Sequence, residues 1–252
     1  MTDIAQISDA LVGARRAGRA LPGFPGNLPD SLDVCYQVQA RSRGLFPDKV
    51  AGWKVGGIPP QHQKTYGATR LTGPIWAGNV HHSGPGTVTE VGVFPDGFAA
   101  VESELVFRLG QTRAEDKLHI GIEIASSPIP DINGVGPAAV VCDFGNNNGL
   151  IVGPEIPGWR DIPLADIHVE TIIDGERIGK ATAADSPGGP QAALDFWLEH
   201  AATHNLDTSA GVYISSGAVT GVHDAVIGSL SRADFGALGS LDVRLVPAVP
   251  VV

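Results

Sequence analysis

Val101-Glu102-Ser103-Glu104-Leu105-Val106-Phe107 is followed, a little further on, by Gly121-Ile122-Glu123-Ile124-Ala125, and both stretches read as β-strands carrying carboxylates on one side. Side chains alternate across a strand, so Glu102 and Glu104 share one face while Leu105 and Phe107 take the other, and Glu123 stands opposite Ile122 and Ile124. This pattern has two readings. Glutamates at alternate positions are ordinary on the wet face of an antiparallel sheet. If the three are instead buried together, their repulsion calls for a cation, and hard oxygen ligands suit Mg²⁺ or Mn²⁺. The metal ligands expected on the second reading are Glu102, Glu104 and Glu123.

Working outward, the chain has 252 residues, 43% of them hydrophobic, enough to bury one sizeable core. Ile4, Ile7, Leu11 and Ala14 recur at helical spacing, and Asp30 or Ser31 can cap a second helix carrying Leu32, Cys35, Tyr36 and Gln39. From Val50 onward short strands alternate with turns, the breakers drawn from 33 glycines and 19 prolines. The expected division is therefore a helical region over residues 1–49 and a β-rich catalytic core over 50–252. Within that core, Ile167 to Ile173 and Glu176 to Lys180 flank Asp174-Gly175, a pair that supplies the positive φ angles of a tight hairpin turn. Gln191 to His204 reads as a helix with an apolar stripe of Leu194, Trp197, Leu198 and Ala201, and strands are expected at Val212 to Ser215 and Leu241 to Val246.

Composition narrows the partners. A net charge of −10 opposes nucleic-acid binding, which needs a basic stripe. No apolar run is long enough to span a bilayer, no signal peptide is evident, and Cys35 and Cys142 sit in apolar runs as reduced core residues, so a cytoplasmic protein is expected.

The order of segments resembles the 2-keto-4-pentenoate hydratase and 4-oxalocrotonate decarboxylase family, within the wider fumarylacetoacetate hydrolase-like superfamily. The resemblance rests on Cys35-Tyr36-Gln37-Val38-Gln39, Gly52-Trp53-Lys54-Val55-Gly56, the two glutamate strands, Cys142-Asp143-Phe144-Gly145-Asn146-Asn147-Asn148-Gly149 and Ser216-Gly217-Ala218-Val219-Thr220-Gly221, in that order. It implies an α+β fold, a mixed, rolled β-sheet with the N-terminal helices packed outside, and an oligomeric enzyme. Association with a pathway enzyme is a further partner left open. It also implies that Glu102, Glu104 and Glu123 hold Mg²⁺ or Mn²⁺, and that a small 2-oxo or 2-hydroxy-dienoate acid from aromatic-compound catabolism is the substrate.

Further site residues follow with their plainer readings beside them. Lys54 is either a surface lysine with its stem along the strand or, as the resemblance implies, a substrate-binding ammonium with a share in proton transfer. Asp143 is a turn aspartate or a catalytic group near the metal or the lysine. Asn148, among the Asn146 to Asn148 amides, together with Gly217 and Thr220 can donate to a substrate carboxylate. Family hydratases carry an acid after the lysine motif, whereas no carboxylate occurs here between Lys54 and Glu90. Arg70 in that stretch is a surface arginine or the receptor of a second carboxylate. His62, His81, His82, His119 and His223 have no spacing that makes them ligands. The expected activity is hydration of a 2-hydroxy-2,4-dienoate to a 4-hydroxy-2-oxo acid. The alternatives are decarboxylation of a 4-oxalocrotonate-like acid and a non-catalytic 2-oxo-acid-binding role.

Overall fold

A computed structural model describes residues 3–251; Met1, Thr2 and Val252, the outer ends of the two expected regions, lie outside the described residues. In chain order the main elements are α1 (Ile4–Ala17), α2 (Leu32–Leu45), β1 (Val50–Gly57), α3 (Pro60–Tyr66), β2 (Arg70–Trp76), β3 (Val80–His82), β4 (Val88–Val93), β5 (Phe98–Arg108) and β6 (Lys117–Ser127). There follow α4 (Ile132–Val135), α5 (Pro137–Cys142), β7 (Asn147–Glu155), β8 (His168–Ile173), β9 (Glu176–Thr182), α6 (Gly189–His204), β10 (Tyr213–Ser215), β11 (His223–Asp224), β12 (Leu230–Asp234) and β13 (Ser240–Pro247).

The expected α+β class, with a curled mixed sheet, is what the chain adopts. One sheet runs β2-β1-β10-β5-β6-β7-β3, with β11 pairing to β5, and the other runs β4-β13-β12-β8-β9. Most neighbours are antiparallel, while β1 with β10, β3 with β7 and β4 with β13 are parallel. Asp174 and Gly175 both take positive φ, 50° and 85°, closing the β8–β9 hairpin as the sequence requires. Ser31, not Asp30, caps α2 by accepting the Val34 amide. The short helices α3 and α5 were not anticipated; each opens on a proline at its first turn, where the missing N–H costs nothing.

Strand alternation divides the large sheet into two faces. Trp53 and Val55 of β1, Leu105 and Phe107 of β5, and Ile120, Ile122 and Ile124 of β6 enter the main core. That core is shared with Val169, Leu241 and Val243 of the second sheet and with Leu194, Trp197 and Ala201 of α6. Burying a large apolar side chain contributes about 1.5–3 kcal/mol, so this face pins the register of all three strands. The opposite face receives Lys54, Glu102, Glu104 and Glu123. Here α1 and α2 form a second core with α5: Ile7 and Leu11 meet Cys35, Val38, Val141 and Cys142. Among the described residues no helix is long and apolar enough to cross a membrane.

Candidate metal centre

Glu102 of β5 and Glu123 of β6 are register partners, and Glu104 lies opposite Gly121. The three carboxylates each offer an oxygen within 4.8 Å of the others, and all are buried, Glu104 and Glu123 at 0% and Glu102 at 4% exposure. Like charges facing each other across a ladder are destabilising even on a surface, and more so when desolvated. The Lys54 ammonium, 4% exposed, stands 3.2 Å from Glu123 Oε1 and donates to Asn146 Oδ1 at 3.2 Å.

One ammonium does not neutralise three carboxylates. Burial by itself would lower the Lys54 pKa, but the charges of Glu123, Glu102 and Glu104 together outweigh it and hold the ammonium above its ordinary value. Burial, opposed by Lys54 and reinforced by Glu123, pushes the Glu102 carboxyl up to about 7. Burial with the charges of Glu123 and Glu102 raises Glu104 as well. The site is therefore short of positive charge.

The carboxylates are also held in place. Glu104 Oε2 accepts from the Ser215 hydroxyl at the end of β10 and from the Gly217 amide at 2.9 Å, while Glu123 Oε1 accepts from Asn147 Nδ2 at 2.9 Å. Each of these two glutamates thus has one oxygen fixed by the protein. The other oxygens, Glu104 Oε1 and Glu123 Oε2, are buried and have no hydrogen-bond partner among the described residues. Oriented oxygens with free lone pairs, converging in a charge-deficient site, fit a hard divalent cation.

The loop from Asp143 to Asn147 shapes the other wall. Phe144, Gly145 and Asn146 take left-handed φ values of 57°, 65° and 54° in succession. Consecutive conformations of this kind cost about 1–3 kcal/mol for each non-glycine residue and persist only where surroundings over-determine them. Tight packing does so here. A Cβ on Gly73 would overlap the Phe144 carbonyl, and one on Gly145 would come within 2.9 Å of Lys54 Cδ. The result delivers Asn146 to Lys54 and Asn147 to Glu123.

The remaining expected site residues are placed as follows. Asn148 turns away: its Oδ1 accepts from Arg15 Nη1 and its Nδ2 donates to Gly92 O, so Asn146 and Asn147 are the amides that face the cluster. Asp143 is not brought into the cluster either. Its carboxylate receives Arg15 Nε at 2.6 Å, Arg15 Nη2 at 2.9 Å and the Ser127 hydroxyl at 2.6 Å. The Gly217 amide points at Glu104 rather than outward. Thr220 bonds Thr171 at 2.7 Å and His223 at 3.1 Å, in a chain that reaches Ser103 on the core face of β5. Arg70 donates to the Pro187 carbonyl at 2.6 Å.

Two residues missed in sequence stand out. Arg15 of α1 is buried and spans Asp143 and the carbonyls of Ser126 and Asn147. His62 of α3 lines a cavity of about 480 Å³ that reaches down to Lys54, Glu102 and Asn146, with Pro137 and Val222 on its walls. For His62 the only sequence signal was its position in the stretch that lacks a carboxylate.

No protein-family model matches this chain, and no curated protein sequence matches it. Solved structures do. The chain is similar to 4-oxalocrotonate decarboxylase from Pseudomonas putida G7, complexed with magnesium and adipate, at 17% identity and TM-score 0.77, over 96% of this chain and 97% of that one. The fold is the fumarylacetoacetate hydrolase-like one. The same decarboxylase complexed with calcium and acetate matches at 18% identity and TM-score 0.76, over 96% of this chain and 97% of that one. Fumarylpyruvate hydrolase from Pseudomonas aeruginosa, in complex with Mn²⁺ and pyruvate, shares the fold at 17% identity and TM-score 0.54, over 81% of this chain and 91% of that one.

Proposed function

We propose that the protein is a divalent-metal-dependent lyase that adds water to a 2-hydroxy-2,4-dienoate, through its 2-oxo tautomer, to give a 4-hydroxy-2-oxo acid. The carrying observation is the set of three buried carboxylates, two of them with one oxygen held by the protein, around one ammonium at the foot of a cavity. The complexes of its structural relatives with magnesium, calcium and Mn²⁺ support the same reading. Glu102, Glu104 and Glu123 would hold the ion. Bound there, a divalent cation supplies Lewis acidity toward the paired oxygens of a 2-oxo acid.

The chain's own residues do the rest. Lys54, its ammonium 3.2 Å from Glu123 Oε1 and bonded to Asn146, is placed to donate hydrogen bonds to the substrate's anionic oxygens, with a share in proton transfer. Asn146 holds the ammonium in line. Asp143 is committed to Arg15 and positions the loop that carries Asn146 and Asn147. His62 borders the cavity and offers it an imidazole, a side chain able to take a proton from water and return it. The resemblance extends the proposal to a homo-oligomer acting in the cytoplasm on products of aromatic-ring breakdown.

A second reading, decarboxylation of a 4-oxalocrotonate-like acid, is favoured by the fold likeness over 96% of the chain and by the lack of a carboxylate between Lys54 and Glu90. Incubating 2-hydroxypenta-2,4-dienoate and 4-oxalocrotonate separately with protein and Mg²⁺, followed by NMR, decides between them. A hydrated product from the dienoate is expected. CO₂ release without hydration establishes the decarboxylase, and Mg²⁺-dependent oxalate binding without any turnover establishes a binding protein.

A further inference from the structure

We infer that the cavity selects acids that carry a single carboxylate and an uncharged, largely apolar tail; the inference rests on the metal-centre reading above and adds the class of substrate. Among the described residues lining the cavity, Lys54 is the one permanently cationic side chain, and it already faces Glu123. The wall beyond it is built from Leu71, Pro137, Val140 and Val222, with the imidazole of His62 and the neutral amides of Gln61 and Asn133. Neither nearby arginine supplies a second cation. Arg70 lies outside the wall with a guanidinium nitrogen on the Pro187 carbonyl, and Arg15 is locked to Asp143.

Charge arithmetic points the same way. Three carboxylates and one ammonium sum to −2, which one divalent cation balances. The first carboxylate of a substrate then makes the site net negative, and a second would find no further lysine or arginine in the described lining, only the His62 imidazole. Size sets the other limit. A cavity of about 480 Å³ lies in the range of ordinary small-molecule sites, roughly 300–1,000 Å³, and exceeds what an unsubstituted five-carbon acid fills. An alkyl or aryl tail on the far end of the dienoate occupies the space that the apolar wall prepares.

Two six-carbon 2-oxo acids differing at the far end test this: 2-oxohexanoate and 2-oxoadipate, titrated calorimetrically into the Mg²⁺-loaded protein with oxalate as the reference for the metal centre. The monoacid is expected to bind roughly tenfold or more tightly than the diacid, the scale of one unpaired polar group. In Val222→Arg and, independently, Val140→Arg, the ratio should move toward 2-oxoadipate. If oxalate binds and 2-oxoadipate matches or exceeds 2-oxohexanoate, the selectivity is overturned while the metal centre stands. If oxalate fails to bind, the metal-centre reading falls and this inference with it.

Discussion

Glu102 and Glu123 face one another directly across the β5–β6 ladder, both buried, with Glu104 beside them and the Lys54 ammonium as counter-charge. The metal-free protein therefore carries a local electrostatic penalty that its backbone pairing holds in place. Glu102→Gln and Glu104→Gln should each relieve part of it, so those metal-free variants unfold at the same temperature as the parent or higher, whereas Glu123→Gln also removes the buried partner of Lys54 and serves for the Mg²⁺ comparison alone. Added Mg²⁺ should stabilise the parent, by about 2.7 kcal/mol at a hundredfold excess over Kd, and the variants far less. Thermal unfolding with and without Mg²⁺ measures both effects. Undiminished Mg²⁺ stabilisation in all three variants would exclude the site.

Lys54→Met separates metal from substrate. Removing the ammonium leaves the carboxylates more negative, so Mg²⁺ affinity should hold or rise, while oxalate or a 2-oxo acid should lose the charged contact, about 1.5–3 kcal/mol. Paired calorimetric titrations check it. A loss of Mg²⁺ affinity with unchanged oxalate affinity would reverse the assignment.

Asp143→Asn tests whether that carboxylate is a strut. Arg15 and Asp143 are 2% and 0% exposed, and breaking a buried pair by removing one charge costs about 3–5 kcal/mol. A Tm lower by roughly ten degrees is expected in scanning calorimetry. An unshifted Tm accompanied by lost turnover would return Asp143 to the catalytic group.

His200 gives the fold a pH dependence. It stacks on His204 at 4.1 Å and lies 4.6 Å from Tyr36, and burial, then the charges of His204 and Arg43, lower its pKa to about 4. The unfolded chain takes up this proton near pH 6.5, whereas the folded one resists until about 4. Its contribution is thus intact above pH 6.5 and is lost as pH falls toward 4. His200→Gln should lessen the stability difference between pH 7 and pH 4.5 in denaturant titrations; an identical difference would dismiss the role.

The carboxylate strands, the Asp-Gly hairpin and α6 were legible because each states its period locally: alternation over β5 and β6, positive φ demanded at the turn, and a stripe of Leu194, Trp197 and Ala201. Asn148 was misplaced because the choice among three adjacent asparagines depends on where β7 begins. Its first residue, Asn147, faces Glu123, and a register shift opposite Ala125 breaks the count. The Asp143 environment was illegible for a different reason. Its partner Arg15 lies 128 residues away on a helix whose apolar pattern gives no hint of a buried cation. His62 carried no motif, and only the placement of α3 against the cavity brings it to the site.

The Arg15 pairing also bears on how the chain matures during synthesis. Arg15 leaves the ribosome before its partners, for Ser126, Asp143 and Asn147, which bind it, emerge more than a hundred residues later. At about 5–20 residues per second, the first helix waits on the order of ten seconds before its guanidinium can be matched. Nascent α1 must therefore remain wetted or shielded through that interval. Its seating is a late event that fixes the loop carrying Asn146 and Asn147.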